Sequence, residues 1–156
     1  MSSPPPSSNT PPPAPRTAVV TGASSGLGVA IAEALGALGW RVAVGARRRD
    51  RLDDTARRVE EAGGRAFAHE LDVSRPDSVD RFFTAVETEL GVADVVVNNA
   101  GLSHPGLLKD ATPDVIGEEI AVNLAGPAYV CQRALVPLYA GGLRGDFVFI
   151  SSDAKR

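Results

Sequence analysis

Residues 21–28 read "TGASSGLG", Thr21 to Gly28. The stretch follows a run of mainly apolar residues, "TAVVT" (17–21), and leads into a segment with apolar side chains at Leu27, Ile31, Leu35 and Leu38. A strand, a glycine-rich turn and an amphipathic helix in direct succession make the first half of a βαβ unit. Gly22 permits a tight exit from the strand, Gly26 lets backbone approach a pyrophosphate, and Gly28 lets the helix pack closely on the sheet. Free backbone N–H groups and the positive end of the helix then face the phosphates. A nucleoside-triphosphate loop would close on Gly-Lys-Ser or Gly-Lys-Thr, and no lysine is present here.

The same alternation continues outward from this loop. Further strands read "RVAVG" (41–45), "AFAHEL" (66–71), "DVVVN" (94–98) and "DFVFI" (146–150). They are nearly continuous apolar runs, as parallel strands covered on both faces require. Between them, Leu52, Ala56 and Val59, then Val79, Phe82, Phe83, Val86 and Leu90, form helical stripes. Ser74 and Asp77 resemble a capping pair, and Thr112-Pro113 opens another helix. The expectation is an α/β, Rossmann-type doubly wound parallel sheet in strand order 3-2-1-4-5. Ligands bind such sheets beyond the carboxyl ends of the strands, where the order reverses, here between the first and fourth strands.

Composition narrows the class. The 156 residues carry a formal net charge of −3, which argues against nucleic acid or an anionic membrane as main partner. Cys131 is the single cysteine, so no internal disulfide can form and a reducing, cytoplasmic compartment is expected. No apolar run approaches the ~20 residues needed to span a bilayer. Residues 1–16, "MSSPPPSSNTPPPAPR", have no apolar periodicity and read as a disordered tail ahead of a domain at 17–156.

A second loop, "NNAG" (Asn98 to Gly101), ends the fourth strand. With "TGASSGLG", "LDVS", "VNLAG" and "FISS", it occurs in the order and approximate spacing of the short-chain dehydrogenase/reductase family, which the chain resembles from Thr17 to Ser152. The resemblance implies hydride transfer between a nicotinamide cofactor and a small carbonyl or alcohol substrate, and a homo-oligomer in which the helix near 123–139 takes part. It implies cofactor contacts at Thr21, Gly22, Ser24, Ser25, Gly26, Leu27 and Gly28 in the first loop. Asn99, Ala100 and Gly101 would do the same in the second. Asp72 would accept a hydrogen bond from the adenine amino group, and Val73 would pack on its ring. Folds of this kind that select NAD(H) place an acid at the end of the second strand. Here "VGARRRD" puts Ala46 at that point, followed by Arg47, Arg48 and Arg49. Arg47, assisted by Arg48, suits a 2′-phosphate, so NADP(H) is favoured over NAD(H).

The resemblance also implies catalytic roles for Asn123 and Ser152. Pro127 has no N–H for the carbonyl four residues back, which is that of Asn123, so a distorted helix there would leave a carbonyl open to a relay water. The family's Tyr-x-x-x-Lys pair, expected about a dozen residues beyond Ser152, is not among the 156 residues. Tyr129 and Arg133 share its spacing but precede Ser152, and arginine cannot share protons as lysine does. The reading is therefore of a C-terminally truncated family member, its last strands missing. Strand five would then be a bare apolar edge, the isolated chain marginally stable or poorly soluble, and activity absent. The alternatives are a non-catalytic NADP(H)-binding module and a nucleotide-sugar epimerase, the latter disfavoured by "NNAG". His104 is a candidate near the substrate side, and no cluster of His, Cys or carboxylates suggests a metal site.

Overall fold

β1 (Thr17–Thr21) is buried along its full length, with a parallel neighbour on each edge and helices over each face. The computed structural model describes residues 14–151. The other elements are α1 (Gly26–Ala37), β2 (Arg41–Ala46), α2 (Arg49–Glu61), β3 (Arg65–Glu70), α3 (Pro76–Leu90), β4 (Val95–Asn98), α4 (Pro113–Ile120), α5 (Gly126–Ala140) and β5 (Asp146–Phe149). A short 3₁₀ turn at Leu108–Asp110 precedes α4, and a π-helical turn at Ala121–Ala125 joins α4 to α5. The strands form one five-stranded sheet in the order β3-β2-β1-β4-β5, parallel at every pairing. The expected α/β topology, with its reversal between β1 and β4, is the one observed. Most of the proline- and serine-rich stretch, residues 1–13, falls outside the described residues.

Alternation along each central strand feeds two cores. Val19, Ala43 and Val96 point to one face, against Phe82, Phe83 and Val86 of α3 and Val130 of α5. Ala18, Val20, Val42 and Val97 point to the other, against Ala32 of α1 and Leu52 and Val59 of α2. The α3 stripe is buried as its spacing predicts.

Two local expectations are corrected. In α1 the buried residues are Gly28, Ala32 and Gly36, whereas Leu27 and Leu38 are 55% and 67% exposed. The helix lies too close to its neighbours for large side chains: a Cβ on Gly36 would stand 2.7 Å from the Val59 carbonyl oxygen. Ile31 and Leu35 are partly buried and pack against the core on that face, so half of the expected stripe is turned inward. The second correction is at the start of α3. The residue preceding the helix is Arg75, and Pro76 occupies the first turn. Ser74 instead donates its N–H and hydroxyl to Asp72 Oδ1 at 3.1 and 2.6 Å, while Asp77 pairs with Arg75 and Arg81.

β5 pairs only with β4 among the described residues, in register Val95↔Asp146 to Asn98↔Phe149. Val148 and Phe149 are exposed. At the opposite end of the strands Arg16 pairs with Asp94 and Asp146 and lies 5.0 Å from the Trp40 ring centroid. Exposed pairs of this kind add little stability individually.

The packing of α1 makes a direct prediction. Gly36→Ala forces backbone apart, because the obstructing atom is a carbonyl and not a flexible side-chain end, and costs about 1–3 kcal/mol in urea unfolding. An unchanged midpoint would show that α1 does not pack this closely.

Candidate functional site

Thr21, the last residue of β1, joins the two loops at the switch point. Its Oγ1 accepts the N–H groups of Asn99 and Ala100 at 3.1 and 3.0 Å and donates to the Val97 carbonyl at 3.4 Å. In return, Asn99 Nδ2 donates to the carbonyls of Thr21 and Gly22 at 2.9 and 3.2 Å. Gly22 has φ +67, and a Cβ there would stand 2.7 Å from Ala100 Cα. Both the left-handed backbone and the close approach exclude other residues. Gly28 is excluded by contact alone, since its Cβ would lie 2.6 Å from Asn99 Nδ2.

α1 begins directly beyond this junction. Ser25, the residue before it, makes no side-chain capping bond, and the first turn has no acidic residue. The leading N–H groups and the positive end of the dipole therefore remain available to an anion. Gly26, at φ +58, has no described atom within 4 Å of where a Cβ would stand. Across from it, Arg48 Nη2 donates to the Ser24 and Ser25 hydroxyls at 3.2 and 3.4 Å.

These parts enclose a cleft of about 440 Å³. It is lined by Gly22, Ser24, Ser25 and Leu27 of the first loop, Ala46 at the end of β2 with Arg47 and Arg48 after it, and Asp72 and Val73 beyond β3. Asn99, Ala100 and Gly101 complete it, together with Leu71 and Val122. Of the residues selected from sequence, Thr21, Gly26 and Gly28 do not line it; they shape its frame. Leu71 and Val122 were missed. Both lie within motifs already singled out, Leu71 opening "LDVS" and Val122 opening "VNLAG", so membership of those motifs was the available signal. Among the described residues Asp72 is the only carboxylate in the lining; its Oδ1 is engaged by Ser74 while Oδ2 has no hydrogen bond to a described residue.

A second cleft of about 980 Å³ adjoins the first through Ala100 and Gly101. Asn123, Pro127, Cys131, Phe149, Ile150 and Ser151 contribute to its wall. Ser152 lies outside the described residues. Asn123 Nδ2 donates to the Leu102 carbonyl at 2.7 Å, and the Leu102 N–H donates to Asn123 Oδ1 at 2.8 Å. The side chain is thus spent on holding the loop. Around it the backbone opens into π-helix, with the Gly126 N–H reaching the Ala121 carbonyl five residues back. Pro127 offers no N–H to the carbonyl of either Val122 or Asn123. Turns of this type occur often at functional sites.

Other reactive side chains have settled environments. Arg133 bonds Glu87 at 2.7 and 3.0 Å and Asp80 at 2.8 Å on α3. The Glu87 bond, assisted by Asp80 against the effect of burial, raises its pKa above the ordinary value. It is an α3–α5 clasp, with no connection to Tyr129. Burial likewise pushes the Cys131 thiol up, opposed by the Asn98 amide that donates to its sulfur at 3.5 Å. The His104 ring sits between Glu118 and Glu119, at 3.2 and 3.4 Å. Among the described residues no three metal-ligating side chains converge, and no helix is long and apolar enough to cross a membrane.

Residues 16–156 match the sequence profile described as short chain dehydrogenase. An uncharacterized oxidoreductase of Bacillus subtilis, YxbG, is 36% identical over 124 residues, 79% of this chain and 45% of that protein. The structure of an alcohol dehydrogenase from the archaeon Thermococcus sibiricus, complexed with 5-hydroxy-NADP, superposes with a TM-score of 0.79 at 40% identity, covering 86% of this chain and 57% of that one. A metagenomic short-chain oxidoreductase in complex with NADP gives 0.82 at 41% identity, covering 89% and 63%. The chain belongs to the short-chain dehydrogenase family. It spans about half the length of curated relatives such as the Bacillus protein.

Removing the Thr21 hydroxyl leaves the partly buried Ala100 N–H without an acceptor among the described residues, and the Asn99 N–H with only the Val97 carbonyl at 3.1 Å. Thr21→Val should cost about 1–3 kcal/mol in denaturant unfolding. Thr21→Ser should recover most of it; equal losses in the two variants would show that the methyl group, not the hydroxyl, matters.

Proposed function

We propose that this member of the short-chain dehydrogenase family binds a nicotinamide dinucleotide in the switch-point cleft, and NADP(H) in preference to NAD(H). The charge pattern of the lining carries the reading. At the end of β2, where an acid would bond a ribose 2′-hydroxyl, stands Ala46, followed by Arg47 and Arg48. Among the described residues Arg47 has no side-chain hydrogen bond or ion pair, and the Arg48 side chain engages only the neutral hydroxyls of Ser24 and Ser25. Both guanidiniums can turn donors to a phosphate without breaking an ion pair. The uncapped start of α1 receives the pyrophosphate, Asp72 Oδ2 accepts from the adenine amino group, and Val73 packs against the ring. The NADP bound to the metagenomic oxidoreductase and the 5-hydroxy-NADP of the archaeal alcohol dehydrogenase support the same choice.

In the intact catalytic unit the cofactor exchanges hydride with a small carbonyl or alcohol substrate. Asn123 acts in the second cleft, where the side-chain lock on Leu102 holds it so that its carbonyl can take a relay water, and the role of orienting the substrate oxygen falls to Ser152. Proton exchange at that oxygen requires a further acid, since a tyrosine works at neutral pH only beside a cation that stabilises its anion. The 156 residues contain no Tyr-x-x-x-Lys, and Arg133 is bound to α3. On their own they therefore bind cofactor without turning over substrate. We further propose a cytoplasmic protein with one nucleotide-binding domain; Arg16, read from sequence as the end of a disordered tail, belongs to that domain, since its carbonyl accepts the Arg41 N–H and its side chain pairs with Asp94 and Asp146. The exposed apolar side chains of α5, among them Leu135, Val136 and Tyr139, suit pairing with a second copy.

Equilibrium titration tests the cofactor reading. NADPH should bind at least about tenfold more tightly than NADH, given roughly 1.5–3 kcal/mol for hydrogen bonds to a charged group. The double variant Arg47→Ala, Arg48→Ala should bring the two affinities together by weakening NADPH alone. Equal affinities in the unaltered protein would contradict the NADP(H) preference.

A further inference from the structure

The glycine-rich loop is held from behind the cleft as well as from within it. Thr55, in the second turn of α2, is 1% exposed. Its Oγ1 donates to the Ala23 carbonyl at 2.8 Å, across 32 positions of sequence. The Arg51 carbonyl, one turn earlier on the same helix, lies at 3.2 Å. A hydroxyl has one proton, and the shorter contact takes the larger share of it. Threonine within a helix often bonds only the carbonyl four residues back; here the nearer acceptor belongs to the loop.

Ala23 is consequently fixed at both of its polar groups, because its N–H donates to the Gly45 carbonyl at 3.2 Å. In a planar trans peptide the N–H of the next residue points opposite to the carbonyl. With the Ala23 carbonyl turned to α2, the Ser24 N–H is directed away from α2. Ser24 lines the cleft, and its N–H donates to no described residue.

We infer that Thr55 is a positioning residue for ligand binding: by fixing the Ala23–Ser24 peptide plane, it keeps the free Ser24 N–H presented to an anionic group of the ligand. The identity of that ligand rests on the NADP(H) reading above, whereas the tether does not. Without the hydroxyl, the Ala23 carbonyl is left with no donor, and the peptide can rotate to find one.

Thr55→Val keeps the shape and removes the donor, and Thr55→Ser keeps the donor. Two readouts apply to each: amide exchange of residues 23–26 in the ligand-free protein, and the dissociation constant for NADPH. In Thr55→Val the loop amides should exchange about tenfold faster and NADPH should bind about tenfold more weakly, with Thr55→Ser within about twofold of the unaltered protein on both. Unchanged loop exchange in Thr55→Val, or equal impairment in Thr55→Ser, overturns the inference. Faster exchange in a protein whose unaltered form does not bind NADPH would keep the tether and defeat the cofactor reading. Should Thr55→Val fail to fold, the hydroxyl proton of Thr55 in the unaltered protein decides: slow exchange with solvent supports the tether, and rapid exchange contradicts it.

Discussion

The reciprocal lock between Thr21 and Asn99 is the constraint on which the rest of the site depends. β1 and β4 are neighbours in the sheet, but the chain reaches them from opposite directions of winding, so their loops diverge above the strand ends. Divergent loops make a crevice only if something keeps them at a set separation. Thr21 accepts two N–H groups of the β4 loop, and Asn99 returns its amide to two carbonyls of the β1 loop. Backbone groups that would otherwise need solvent are satisfied within the junction. Gly22 and Gly28 lack side chains because the locked partners occupy that space.

Close packing carries the same constraint outward. The small residues Gly28, Ala32 and Gly36 bring α1 against its neighbours, which delivers an uncapped helix start to the mouth of the cleft. Its positive end, two guanidiniums and one carboxylate already engaged by Ser74 give that mouth its preference for anions. The second cleft is built on a different principle. There a π-helical turn and Pro127 disrupt the helix ladder, and the side chain of Asn123 is used to hold the Leu102 backbone.

Much of this was legible in the sequence because it depends on short-range pattern. The five strands are continuous apolar runs, and the order 3-2-1-4-5 follows from their connections and the handedness of crossovers. Glycines at fixed offsets marked the first loop for the same reason. What escaped were features settled by distance in three dimensions. Of the stripe Leu27, Ile31, Leu35 and Leu38, the middle two pack partly against the core, but Leu27 and Leu38 are exposed because the closest approach of α1 is made at Gly28, Ala32 and Gly36. Ser74 has the right spacing for a cap, but Asp72 is nearer and takes its hydrogen bonds. Thr55 stands 32 residues from its acceptor, and no local pattern distinguishes it from any other helical threonine. Arg133 has the spacing of a catalytic cation from Tyr129, and only the positions of Asp80 and Glu87 reveal it as a clasp.

The central claim is that one cleft, framed by the Thr21–Asn99 lock, receives the dinucleotide. It is tested most directly by following backbone amide resonances of the isotopically labelled protein as NADPH is added. The account predicts saturable shifts concentrated at residues 22–28, 46–48, 71–73 and 99–101, with the N-terminal ends of the strands unmoved. Shifts centred elsewhere, or none at millimolar NADPH in a folded sample, would contradict it.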